Sequence, residues 1–111
     1  MNKLKTKLLA SWMDALYIGY LSSINAFEPE DAHELLLLEH AREILGRLST
    51  QLLNDQQRYT LTLTGTEALA FLQWWSINPC ESGSLIQVVV AELMKKIDLT
   101  AKAPKRMLYG L

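Results

Sequence analysis

Apolar residues recur at helical spacing along four stretches of the chain and at a spacing of two along one. Over residues 3–25, Leu4, Leu8, Leu9, Trp12, Ala15, Leu16, Gly19 and Tyr20 gather on about half of the helical wheel, with Lys3, Lys7, Ser11 and Asp14 opposite. The spacing predicts a first helix over 3–25. Ser22, Ser23 and Asn25 read as its end, since Asn tolerates the left-handed conformation.

A second helix is expected from Pro29, because proline suits a first turn whose N–H needs no partner. Glu28, Glu30 and Asp31 place acids at the positive end of its dipole. Its stripe is Leu37, Leu38, Ala41, Ile44, Leu45, Leu48 and Leu52, and Asn54 with Asp55 reads as the stop.

Residues 57–64 change period. Tyr59, Leu61 and Leu63 alternate with Thr60, Thr62 and Thr64, the signature of a half-buried strand. A lone strand leaves main-chain groups unpaired. Its partner is expected in residues 105–109, in the same strand of a second molecule, or in another protein. An extended connector satisfied by water is the alternative.

Thr64 and Glu67 have capping-box spacing, with Thr66 a rival cap, and open a third helix that stops at Asn78 and Pro79. This helix is apolar nearly all round and is expected to be buried on most sides. Ser84 with Gln87 repeats the capping spacing and starts a fourth helix, whose inner residues are Leu85, Ile86, Val89, Val90, Leu93, Met94 and Ile97. The valines at 88–90 also suit a strand, but the flanking cap and the length favour a helix. Residues 99–111 lack a clear period, and Pro104 is expected to end the helix and leave an irregular basic tail.

The resulting expectation is a mainly α, four-helix bundle-like domain over residues 1–111, with two long and two shorter helices and one short strand near 57–64. Two short helices cannot cover a long hairpin from end to end, so apolar residues are left over. Tyr17, Ile18 and Leu21 fall off the first stripe, and Leu35, Leu36 and Leu53 off the second. Trp74 and Trp75 point about 100° apart, which one core does not easily accommodate. Together with Tyr59, Leu61 and Leu63 of the strand, the residues at 17, 18, 21, 35, 36, 74 and 75 are interface candidates, with a homodimer the favoured assembly. The competing arrangement has helices three and four wrapping around these groups.

Composition narrows the class. The chain has 111 residues, half of them hydrophobic and one a cysteine. That suits one domain and excludes an intramolecular disulfide framework and a disordered tail. The net charge of −1 conceals a division: residues 14–92 carry −8, while the two ends carry +3 and +4. Either this is helix electrostatics, or the ends, with Lys3, Lys5, Lys7, Lys102, Lys105 and Arg106, meet phosphate or an acidic partner. The Lys–Leu start resembles an export signal only briefly, because Ser11 and Asp14 interrupt it. No stretch reaches the roughly 18 apolar residues of a membrane span. A cytoplasmic protein without membrane contact is expected.

Candidate chemistry is sparse. Glu30 and His33 stand one helical turn apart, as in di-iron bundles, but the second such pair and the further glutamates are lacking. His40 lies about 10 Å further along the axis, too far to share an ion with His33. Cys80 follows Pro79 in a turn without a nearby base. Trp74, Trp75, Phe71 and Tyr59 could stack bases or line a groove, although aromatics on an apolar helix are usually core. Helices three and four could form a helix-turn-helix, but an outer face of Gln87, Val88, Glu92, Lys95 and Lys96 is poor in basic residues. No catalytic residue, metal ligand or cofactor is assigned. The expected function is a non-enzymatic protein-interaction or structural module that dimerises. The alternative is a small regulatory or nucleic-acid-associated protein using its basic ends.

Overall fold

A computed structural model of the chain describes the backbone of residues 3–109 and the side chains of residues 3–99. The element order is β1 (Leu4–Leu9), α1 (Ala10–Ala26), α2 (Ala32–Leu52), β2 (Arg58–Leu63), α3 (Gly65–Ile77) and α4 (Leu85–Tyr109). The protein is mainly helical, with a two-stranded antiparallel sheet where one strand was expected.

The second strand occupies the start of the expected first helix. Leu4 and Leu8 are four residues apart, a spacing that shares a face in a helix and in a strand alike. Lys3, Lys5 and Lys7 break the tie, because their alternation with Leu4, Thr6 and Leu8 has period two, and it is matched by alternating exposure and burial. Leu4 pairs with Leu63, Thr6 with Leu61 and Leu8 with Tyr59. The strand at 57–64 therefore finds its partner at the other end of an α-hairpin, within the same chain. The ladder continues as Ala10 N–H donates to Gln57 O at 2.9 Å.

α2 starts three residues later than Pro29. Asp31 is its N-cap, accepting from Glu34 N–H at 2.8 Å, while Glu34 Oε1 accepts from Glu30 N–H at 3.0 Å. The short Asp side chain reaches the free amides of the first turn, which makes it a better cap than the Glu28 that a helix from Pro29 would require. α3 opens on the expected capping box, with Thr64 and Glu67 each accepting from the other's backbone N–H. At α4, Ser84 Oγ accepts from Gln87 N–H at 3.3 Å, and Gln87 Oε1 accepts from Gly83 N–H at 2.7 Å. α4 then continues through Pro104 to Tyr109 instead of giving way to an irregular tail at residue 99. Proline removes one bond from the helix, and the strong helix formers around it, Ala101, Lys102, Ala103, Lys105 and Arg106, offset that loss.

One core joins all six elements. α1 packs on α2 and α4, and α2 packs on α3. Both tryptophans are inside it. Trp74 meets the Phe27 ring at 4.8 Å and donates its indole N–H to Ser23 Oγ at 3.1 Å, while Trp75 meets Tyr20 edge-on at 4.9 Å. The buried arc of α3 is wide, running from Ala70 through Trp74, Phe71 and Trp75 to Ala68, so two directions 100° apart both point inward.

Two junctions hold the elements by opposite means. At one, Arg47 of α2 donates to Thr62 O of β2 at 3.0 Å and pairs with Glu67 of α3, while Gln51 donates to Thr60 O at 2.8 Å. At the other, α1 crosses α4 at Gly19. A Cβ there would lie 2.8 Å from Ile86 Cγ1 and Cδ1 and 3.3 Å from Trp75 Cη2. Among the described residues no helix is long and apolar enough to cross a membrane.

Candidate functional site

Beside the close crossing of α1 and α4 lies a groove of about 630 Å³, lined by α1, the end of α3, the α3–α4 connection and the start of α4. Gly19, Trp75 and Ile86 meet at its base, and Ile18, Ile77 and Leu85 stand on its walls. All three wall residues are exposed, Ile18 most of all at 61%. Leu85 was expected to face inward, but it occupies the first turn of α4, beyond the reach of the core, and the turns that follow carry the buried Val89, Val90 and Leu93.

The polar groups around the groove are largely committed to local structure. Ser23 Oγ donates to Tyr20 O and accepts from Trp74. Asn78 Nδ2 donates to Trp74 O at the end of α3. Ser84 Oγ caps α4 and donates to Glu81 O at 2.6 Å. Two titratable side chains, Cys80 and Glu81, line the groove. Burial pushes the Cys80 thiol up, which keeps it protonated and a poor nucleophile at neutral pH. The surface therefore offers apolar contact with few free polar groups.

Behind the groove, the Tyr20 hydroxyl and the Trp75 indole N–H complete no hydrogen bond among the described residues. Burial holds the Tyr20 hydroxyl far above the ordinary phenol range, with the neighbouring Trp75 N–H and the Arg47 charge only partly opposing it.

The expected interface residues divide cleanly. Ile18, Leu21, Leu35 and Leu36 are exposed, and Tyr17 is half-buried against the core. Tyr59, Leu61, Leu63, Trp74 and Trp75 are buried in this fold, and of these Trp75 also reaches the base of the groove. Sheet pairing accounts for the first three of these and the wide buried arc of α3 for the tryptophans. Of the exposed group, Ile18 lies at the groove, whereas Leu35 and Leu36 form a separate pair on α2.

Lys3, just before β1, and Lys5 and Lys7 within it are exposed, and the side chains of Lys102, Lys105 and Arg106 lie outside the described residues. His33 is exposed. His40 is half-buried, with Nδ1 3.9 Å from Glu43 Oε2. Among the described residues no three His, Cys, Asp or Glu side chains converge as metal ligands.

Reading the helical stripes missed the groove because its walls come from three segments distant in sequence. The available signal was Gly19, a residue without a side chain on the apolar side of a helix, where a neighbouring helix can approach closely. Comparison with protein-family models, with curated proteins and with solved structures finds no match to this chain.

Proposed function

We propose that the chain is a non-enzymatic interaction module that self-associates through the groove between α1 and α4. The observation that carries this reading is the 61% exposure of Ile18 beside an apolar groove of about 630 Å³. A two-fold interface presents the same patch from both copies. Because Ile18 and the groove belong to one patch, each copy can place its isoleucine in the other's groove. Burying that apolar surface drives association, and the committed polar rim adds little desolvation penalty. The reading is of a cytoplasmic module, in which the basic and apolar residues 3–9 serve as a strand of the core.

Sedimentation velocity across a wide concentration range tests it. The wild-type chain is expected to shift from monomer to dimer, and Ile18→Asp to remain a monomer with an unchanged circular dichroism spectrum. A wild-type chain that stays monomeric at millimolar concentration overturns the proposal.

A second reading, a small regulatory or nucleic-acid-associated protein, draws on the exposed Lys3, Lys5 and Lys7. It requires binding that weakens steeply with salt. The absence of any mobility shift with DNA or RNA at low salt would end it.

A further inference from the structure

We infer that the outer edge of β1 is a docking site for an extended acidic segment of a partner protein. This surface is separate from the groove, and the inference stands without the self-association proposed above.

The two edges of the sheet are treated differently. On β2, the carbonyls of Thr60 and Thr62 turn away from β1 and receive Gln51 and Arg47. In an antiparallel ladder, successive residues direct both main-chain groups to opposite edges. The register sets Thr60 against Lys7 and Thr62 against Lys5. The N–H and C=O of Lys5 and Lys7 therefore also turn away from the partner strand. Among the described residues, neither a further strand nor a side chain meets them. α4 is joined to β1 at Thr6, where Lys96 Nζ lies 2.7 Å from Oγ1, a residue whose main chain faces β2.

An added strand would satisfy these groups through the main-chain pairing of β-augmentation. Charge selects which strand. Lys3, Lys5 and Lys7 are exposed at every second position, so alternate residues of the incoming segment face three ammonium groups. A second copy of β1 would set lysine against lysine, and like charges directly opposite are destabilising. Alternating carboxylates are favourable at the same places. At the Leu8 end of the strand, a recess of about 210 Å³ is lined by Leu8, Leu9, Trp12 and Leu93 together with Lys7, Lys96 and Glu92, so an aliphatic side chain entering it between two acids meets apolar surface beside two lysines and one glutamate. The recognised pattern is thus acid–apolar–acid in an extended chain. A polynucleotide can meet the ammonium groups, but it has no amide ladder for Lys5 and Lys7. Lysines on an edge also deter indiscriminate pairing, and here the same charges that repel other strands select an acidic one.

A short peptide of alternating Glu and Val tests the assignment on the full chain, by fluorescence anisotropy and by amide exchange in NMR. Binding should saturate, and exchange of the Lys5 and Lys7 amides should slow. The Lys5→Glu/Lys7→Glu double variant should bind this peptide about tenfold more weakly and gain binding to a peptide of alternating Lys and Val. Gain of the opposite peptide cannot come from unfolding, and Lys5→Gln/Lys7→Gln supplies the weakened state if the reversal fails to fold. The proposal is overturned if saturating peptide leaves the Lys5 and Lys7 amides unprotected. It is also overturned if a peptide with alternate amides N-methylated binds as well as the parent. Displacement of the peptide by a single-stranded oligonucleotide at the same salt, with the two amides still exchanging freely, would make the lysines a phosphate site instead.

Discussion

The Arg47 junction and the Gly19 junction solve the same problem, fastening a helix to the rest of the fold, with opposite chemistry. Around Arg47, α2 reaches β2 and α3 through a guanidinium, a carboxylate and an amide, and the carbonyls of Thr60 and Thr62 gain partners. Around Gly19, α1 reaches α4 by omitting a side chain, so that Ile86 and Trp75 fill the space a Cβ would need. The polar junction is half open to water: the Arg47 side chain is 45% exposed, although that of Glu67 is only 10% exposed. Water can replace part of what Arg47 supplies. At Gly19 space is regained only by displacing the Ile86 side chain. The apolar junction should therefore be the less tolerant of change, even though it contains no strong interaction.

The largest effect is expected at Gly19. Gly19→Val places two methyl groups where a single Cβ already meets Ile86 at 2.8 Å. Overpacking of this kind should cost about 2–3 kcal/mol and lower the thermal midpoint by roughly 10 °C or more. If the cause is lack of room, Ile86→Ala in the same chain should recover part of the loss, so that the double variant is more stable than the sum of the single changes implies. Strict additivity in a thermal melt would show that the crossing is looser than its contacts indicate.

Arg47→Met comes next. It keeps the apolar stem that packs along α2 and removes the charge. Glu67 keeps the Thr64 N–H and loses its cationic partner, while Thr62 O turns to water. Because Arg47 is half exposed, the cost should be discounted to about 1–2 kcal/mol. Adding Glu67→Gln removes the stranded charge while keeping an acceptor for the cap, and it should restore part of the urea midpoint. A double variant weaker than Arg47→Met alone would mean that the carboxylate is held chiefly by the cap.

These junctions also show what the residues declare in sequence and what they withhold. The Thr64–Glu67 box, the Ser84 cap of α4 and the Thr–Leu alternation of β2 are local signals, each complete within a few residues, and each appears in the structure at its expected place, although Gln87 returns its bond to Gly83 N–H instead of Ser84 N–H. β1 was hidden because Leu4 and Leu8 satisfy both periods, and because its partner lies beyond the whole α1–α2 hairpin. The burial of Trp74 and Trp75 depends on α3 being covered over a wide arc, which no helical wheel of α3 can reveal. Arg47 reads as a surface charge on α2 until Glu67 and Thr62 are brought to it. The groove depends on α1, the α3–α4 connection and the start of α4 being brought together. Local capping and alternation are legible in the chain, whereas anything set by the meeting of distant segments is not.

The smallest effect at neutral pH, and the one that most sharpens the contrast, is expected at Tyr20. This residue follows Gly19 in α1 and is fully buried against Phe71 and Trp75, within reach of the Arg47 charge, and its hydroxyl completes no hydrogen bond among the described residues. Tyr20→Phe should change stability by less than about 1 kcal/mol at pH 7, since it removes a polar atom that gains little from the fold. The difference should appear in alkali. Burial raises the folded pKa above the ordinary phenol value of 10.0, so the unfolded chain loses this proton first. Stability is therefore intact below about pH 10 and falls as pH rises beyond it, by at most about 1.4 kcal/mol per pH unit for this group. Phenylalanine has no proton to lose. Urea unfolding of both chains at pH 8 and above pH 10 should show the Tyr20→Phe chain gaining relative to wild type as pH rises. A gap that stays constant across that range would mean that the hydroxyl ionises as readily folded as unfolded. The core around Tyr20 would then be as open to water as the half-exposed Arg47 junction.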